Sequence, residues 1–339
     1  MATSNQTSRK RDRDDRVDFE YTGRVPIPKD VAHVSFHPSV TEVHKDAFNN
    51  CTNLREVVLN EGLKEIRRGG FCHINCKSLE RITFSSTVTE IGQISFSSCR
   101  SLKEVVLNEG LKKIGTKAFH HCSSLQSITL PSTLTNTGVT VFAFCTNLRR
   151  VVLNEGLKTI NGCAFYGCKS LERISLPSTL DEIGSLAFSS CTNLRVVELY
   201  GIVQKIGEDA FANCQSLEKF TFPSLSTRLE NIIQTGHWSE EVEGKFDEIR
   251  GLVQRRGSAI FISAADMRGG SNWNRIKQVI ERINELITYF EKKEATSLFE
   301  LALWKANLDR ASEMTRRSTR SKYRAEVPGP VKDAILQYL

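Results

Sequence analysis

The side chains best equipped for chemistry in this sequence are thiols and imidazoles, 10 cysteines and 7 histidines in 339 residues. A thiol can pair with another thiol, ligate a soft metal or attack an electrophile, and each use needs its own arrangement. Zinc calls for paired Cys or Cys/His ligands with a second pair further along. The metal-like groupings are Cys72-His73 with Cys76, and His120-His121-Cys122; neither has such a second pair, so no metal and no cofactor is expected. A cysteine nucleophile needs an activating base and solvent access. Disulfide frameworks belong to short secreted chains rather than to one of this length. No catalytic residue is assigned, and the chain is read as not an enzyme.

Spacing accounts for the cysteines better than reactivity does. Cys51, Cys76, Cys99, Cys122, Cys145, Cys168, Cys191 and Cys214 each open a Cys-x-x-Leu signal, at one interval of 25 residues and then six of 23. A cysteine once per unit reads as a small buried hydrophobe. Cys72 and Cys163 lie off this ladder, and Cys163 occupies a place held elsewhere by Lys117 or Asp209, so it is expected at the surface. A fixed period of this size means stacked supersecondary units.

Each unit has three parts. The first is Leu-x-x-Ile/Val-x-Leu/Phe, as in Leu102-Val105-Leu107 and Leu171-Ile174-Leu176, whose final alternation reads as a short strand. A turn follows, alternately Asn-Glu-Gly (60–62, 108–110, 154–156) and Ser/Pro-Ser-Thr (85–87, 131–133, 177–179), which implies duplication of a two-coil block. The third part is Leu-x-x-Ile-Gly-x-x-Ala-Phe-x-x-Cys, as in Leu180 to Cys191, with the glycine expected to take the positive φ of a sharp corner. Its Ala-Phe-x-x-Cys end is a turn too short for a full helix. A lone coil buries too little to offset the entropy of ordering it, so coils must share a core. Three units break the pattern: two extra residues near Cys72, Thr137 in place of isoleucine, and Tyr200-Gly201-Ile202 in place of the turn tripeptide.

These units, LxxIxLPxxLxxIGxxAFxxC over residues 28–223, resemble the BspA-type leucine-rich repeats. The resemblance implies an α/β fold: a leucine-rich repeat solenoid with a parallel sheet of short strands on a curved right-handed coil. It also implies binding to other macromolecules without catalysis. Segments TSLFELALWKANLD and VPGPVKDAILQYL are similar to tails attached to such repeats in algal proteins, a likeness that implies no activity.

Around the solenoid, residues 1–27 read as a disordered polar arm and 224–339 as a small helical C-terminal domain with a basic loop at 313–325. Order is expected from the atypical first coil, where Val31, Val34 and Phe36 keep the unit's spacing. Ser239-Glu-Glu begins a predicted helix stopping at Gly257, Ala259–Asp266 reads as extended, and Ser271 caps a long helix with the stripe Trp273, Ile276, Ile280, Ile283, Ile287 and Phe290. Further helices are expected from Thr296 or Ser297 and from Pro330. The net charge of +7 is uneven, with five basic residues and no acid in Arg316–Arg324. Neither an apolar leader nor a membrane-length apolar run appears, so the expected location is cytoplasmic, with a nuclear address open at Arg9-Lys10-Arg11.

Outward strand positions form two columns on the sheet face: Val58, Thr83, Val106, Thr129, Val152, Ser175, Glu198, Thr221, and Glu56, Arg81, Glu104, Ser127, Arg150, Arg173, Val196, Lys219. Glu56-Arg81-Glu104 alternates in sign and compensates itself. Arg150 beside Arg173 is expected to be uncompensated, with Arg149, Arg195 and Lys219 near. These five residues are the candidate site for a protein partner of acidic character. The columns carry no aromatics for stacking bases, so nucleic acid is not the expected partner. Two other readings stay open: a surface adhesin whose leader lies upstream, and an enzyme hosted by residues 224–339.

Overall fold

The computed structural model describes residues 18–23, 27–45, 47–48, 51–71, 78–201, 203–221, 254–256 and 259–263, with helical positions at 278, 281, 282, 285 and 288. The chain divides into two compact units, Met1–Glu281 and Arg282–Leu339. In the first unit each coil contributes one strand to a broad face, where period-2 alternation points every second side chain inward; Ser127–Leu130 runs exposed, buried, exposed, buried.

Numbered along the chain, the broad face begins with β1 (Asp18–Tyr21), β2 (His33–Phe36), β4 (Glu56–Val58), β6 (Arg81–Thr83), β8 (Glu104–Val106), β10 (Ser127–Leu130) and β11 (Arg150–Leu153), a seven-stranded parallel sheet. A second sheet holds β13 (Arg173–Leu176), β15 (Val196–Leu199) and β17 (Lys219–Thr221) in parallel, then β19 (Ala259–Ser263) and β18 (Gln254–Arg256) antiparallel. After the turns, except the one at 131–133, two-residue strands form a second ladder: β3 (Glu42–Val43), β5 (Glu65–Ile66), β7 (Glu90–Ile91) and β9 (Lys113–Ile114), then β12 (Thr159–Ile160), β14 (Glu182–Ile183) and β16 (Lys205–Ile206). The Ala-Phe-x-x-Cys segments form turns, as their length requires.

Between these ladders lies a column of rings. Phe48, Phe71, Phe96, Phe119, Phe142, Phe165, Phe188 and Phe211 stack face to face, with successive centroids 4.1 to 5.5 Å apart and planes within 20°. Tyr21 and Phe36 close one end of the column, and Phe220 meets Phe211 edge-on at the other. Each such contact adds about 0.5–1.5 kcal/mol beyond the area it buries. The ladder cysteines serve this column. Phe96 O already accepts from the Cys99 amide at 3.2 Å, and the Cys122 thiol of the next coil donates to its other lone pair at 3.2 Å. Cys145, Cys168, Cys191 and Cys214 repeat the bond to Phe119, Phe142, Phe165 and Phe188.

The glycine after isoleucine has a different cause from the one its position suggests. Gly115, Gly184 and Gly207 do not adopt positive φ; a Cβ on each would lie 2.5, 2.5 and 2.2 Å from the backbone of the preceding coil. Close approach of backbones, rather than a corner, excludes a side chain there. The left-handed residues come later, at non-glycine pairs such as Lys117 and His121 or Thr140 and Phe144.

Alternation of the turns is a latch. Glu109 of one coil accepts bonds from the Ser132 amide and hydroxyl of the next, while Thr133 Oγ1 accepts from Gly110 N and donates to Leu111 O. Glu155 with Ser178 and Thr179 repeats the arrangement, and Glu61 with Ser86 and Thr87 gives its first instance. The two-coil period is therefore a hydrogen-bonded unit.

The exception at Thr137 is matched by a second departure in the next coil, Asn161. Thr137 is buried and joins no second-ladder strand; Asn136 makes only an isolated bridge to Thr159. Asn161, standing where other coils have glycine, donates its backbone amide to Thr137 Oγ1 at 2.9 Å and its side-chain amide to Thr137 O.

At the termini the structure departs from the expected boundaries. Residues 18–21, placed in the polar arm by their charge, form β1 because Phe19 and Tyr21 alternate inward onto the first coil. Residues 254–256 are extended where a helix to Gly257 is expected, since β18 pairs with β19. The extended reading of Ala259–Ser263 holds. Positions 278 and 281 in the first unit, and 282, 285 and 288 in the second, are helical and exposed, out of phase with the predicted stripe. The Cys72 insertion, the later helices, the basic loop and Ile202 lie outside the described residues.

Two predictions follow from the core and the latch. Phe142→Ala, which empties one place in the ring column, should cost about 3–5 kcal/mol in urea unfolding. Ser132 side-chain and backbone bonds hold the Glu109 carboxyl below the usual range. For Glu155 partial burial opposes the shift, but bonds from Ser178 and Thr179 win and lower it too. A depressed carboxyl stabilises above its unfolded value of 4.5 and loses that contribution as pH falls through its folded value. Thermal melts from neutral pH to pH 3 should show a smaller acid loss in Glu109→Gln/Glu155→Gln than in the natural protein.

Candidate functional site

The sheet face is built by register. Glu56, Arg81 and Glu104 pair strand to strand, Ser127 pairs with Glu104 and with Arg150, and Arg173 pairs with Val196, which pairs with Lys219. The predicted columns are thus real within each sheet. Beside the charge column runs a β-branched stripe: Val58, Val106 and Val152 are 59%, 37% and 37% exposed, with exposed Thr83 and Thr129 between them.

Most charges on this face are matched by the neighbouring coil. Arg81 meets Glu104 at 2.9 Å, Lys103 meets Glu80 at 2.9 Å, and Arg195 reaches Glu218 at 3.8 Å. Arg173 Nη1 donates to Glu198 at 2.7 Å, and Ser175 Oγ donates to the same carboxylate at 2.7 Å. The expected uncompensated pair is therefore corrected: Arg173 has an acid on the strand beyond it, and Arg195 has Glu218. Lys219 lies on β17, separated from Arg173 by Val196. Arg149 and Arg150 differ from these. Both are exposed, and among the described residues neither forms an ion pair, for the preceding coil offers only Gln126 and Ser127.

The sheet itself divides at the same place. β11 and β13 run side by side, yet among the described residues no ladder bond joins them. Elsewhere the residue before the strand donates to the previous coil, as Arg149 N does to Gln126 O and Arg195 N to Glu172 O; the matching bond from Glu172 to Arg149 is not formed. The β12–β14 ladder of the same two coils is intact.

One cluster escapes reading by strand columns. His121 stacks on Phe144 with centroids 4.6 Å apart and planes at 7°, His120 meets both rings edge-on, and Tyr166 abuts Phe144 at 5.2 Å. Burial chiefly, with His121 and Lys117 nearby, pushes His120 down to about 4, so it is neutral at physiological pH. The signal available in the sequence is that other coils carry small residues here, such as Ser97-Ser98 and Ser189-Ser190. Cys122 does not join the histidines, because its thiol points into the core toward Phe96 O. No group of three or more His, Cys, Asp or Glu suited to a metal occurs among the described residues, and no described helix is long and apolar enough to cross a membrane. Cys72, His73 and Cys76 lie outside them.

A family model described as a BspA type leucine rich repeat region matches the chain in 6 copies, over residues 29–149 and 112–235. Among solved structures, the T. pallidum leucine rich repeat protein is 24% identical with a TM-score of 0.45, covering 70% of this chain and 97% of that one. A leucine rich cell surface protein from Faecalibacterium prausnitzii is 24% identical with a TM-score of 0.38, covering 57% of this chain and 60% of its own. The pneumococcal vaccine antigen PcpA is 18% identical with a TM-score of 0.30, covering 56% and 61%. No curated protein matches the chain.

Burial raises Cys145 and Cys214 to about 12 and Cys122, Cys168 and Cys191 well above their ordinary value, so these thiols stay protonated and inert. Cys163, off the ladder, is half-exposed. A maleimide at pH 8 should label native Cys163 well before Cys122, Cys145, Cys168 or Cys191, with peptide mass spectrometry locating the adducts. Equal labelling of these five would contradict the burial.

Proposed function

The chain belongs to the BspA-type leucine-rich repeat family, and from that premise we propose that it is a non-catalytic scaffold whose sheet face binds an acidic protein partner. Arg149 and Arg150 are the centre of the contact, with Arg173, Arg195 and Lys219 as its flank. One observation carries this reading: on a face where Arg81, Lys103, Arg173 and Arg195 each hold a neighbouring carboxylate, Arg149 and Arg150 hold none among the described residues.

The energetics favour that assignment. Exposed ion pairs within the face contribute about 0–1 kcal/mol each and offer a partner little, because their charge is already neutralised. Two adjacent guanidinium groups without an acid attract a carboxylate at long range and can bind it in a bidentate fork. The β-branched stripe beside them supplies apolar area: Val152 stands two residues from Arg150 on the same strand and face. The partner that fits is an acidic segment with small apolar side chains, laid across the strands.

A hexaglutamate peptide provides the test by fluorescence anisotropy at low salt, against hexaglutamine as control. Arg149→Glu/Arg150→Glu should weaken hexaglutamate binding roughly tenfold or more, and added salt should weaken binding to the natural protein. Unchanged affinity in the double variant would remove Arg149 and Arg150 from the contact.

A further inference from the structure

The division of the broad face falls where the register would set two arginines opposite one another. Continuing the register of the flanking strands brings Arg150 of β11 opposite Arg173 of β13, since Ser127 aligns with Arg150 and Arg173 with Val196. Like charges directly opposite one another destabilise a strand pair. The opening is local. β12 and β14 stay paired in register, and the ring column passes through with Phe142 and Phe165 5.4 Å apart.

The same opening leaves a further bond unmade. Glu80 and Lys103 form an ion pair in one pair of adjacent coils, and Arg195 and Glu218 in another. The corresponding residues here are Arg149 and Glu172, and among the described residues they do not pair. Arg173 leans away to Glu198, which also holds Ser175. A guanidinium has five donors, and the bond to Glu198 uses one Arg173 nitrogen, which leaves donors on the others.

We infer that the gap between β11 and β13 is the seat for one carboxylate side chain of the partner, bridging Arg150 and Arg173 and allowing the two strands to pair. This rests on the acidic-partner reading and adds where the acid sits and what it does to the sheet. Strands about 4.8 Å apart place two guanidinium groups within reach of one carboxylate. The acid joins Arg150 to Arg173 in a charge-assisted bridge, and the amides at the start of β13 gain an acceptor on the preceding coil.

Hydrogen exchange read by mass spectrometry, on the full chain with and without saturating hexaglutamate, tests this. Peptides covering 171–176 should exchange ~fivefold more slowly with the peptide bound, the factor for relieving about 1 kcal/mol across one pair, while those covering 127–130 should not change. Without peptide, Arg150→Gln should slow 171–176 by a similar factor and bind hexaglutamate more weakly. If hexaglutamate binds in an Arg149/Arg150-dependent way but leaves 171–176 unchanged, the seat is refuted and the acidic-partner reading survives. If hexaglutamate fails to bind, both fail. If Arg150→Gln without peptide exchanges at 171–176 like the natural chain, like-charge repulsion is not what holds the strands apart.

Discussion

Every coil of this solenoid must close against the backbone of the coil before it, and most of its residue choices follow from that approach. Glycine stands at 115, 184 and 207 because a side chain would strike the preceding coil. Phenylalanine recurs because a flat ring stacks at the same repeat that sheet hydrogen bonding imposes. Cysteine recurs because it is small enough to sit beneath the ring and still donates to the phenylalanine carbonyl below. A residue that suits one of these needs alone, such as alanine beneath the ring, would leave the thiol's bond unmade.

That uniformity gives the interruptions their meaning. At Thr137 the second ladder is missing a strand, and Asn161 repairs the loss from the next coil with backbone and side-chain bonds. The gap between β11 and β13 has no such repair among the described residues. A loss made good within the chain points to structure, whereas one left open beside two arginines without an ion pair among the described residues points outward. The alternating turns support the distinction, since Glu61, Glu109 and Glu155 are engaged by the following coil and are not available to a partner.

Sequence reasoning located the coils because a solenoid gives each unit nearly the same neighbours, so local spacing and tertiary environment agree. The alternation in β10 or β13 and the burial of Val31 and Val34 follow from it directly. It misplaced β1 because Phe19 and Tyr21 sit among charges that dominate composition. It missed the ring cluster of His120, His121, Phe144 and Tyr166 because those residues occupy turn positions rather than strand columns.

The candidate site divides the same way. That Arg150 and Arg173 fall in one outward column follows from the period alone, because strand side chains alternate and the coils keep register. Which of them carries free charge does not. Arg173 is neutralised by Glu198 because a long side chain reaches the strand beyond its neighbour's side, and Arg149 misses Glu172 because the sheet opens between them. Sequence spacing counts residues along the chain. Whether a guanidinium meets a carboxylate depends on distances between coils, and only the folded chain sets those.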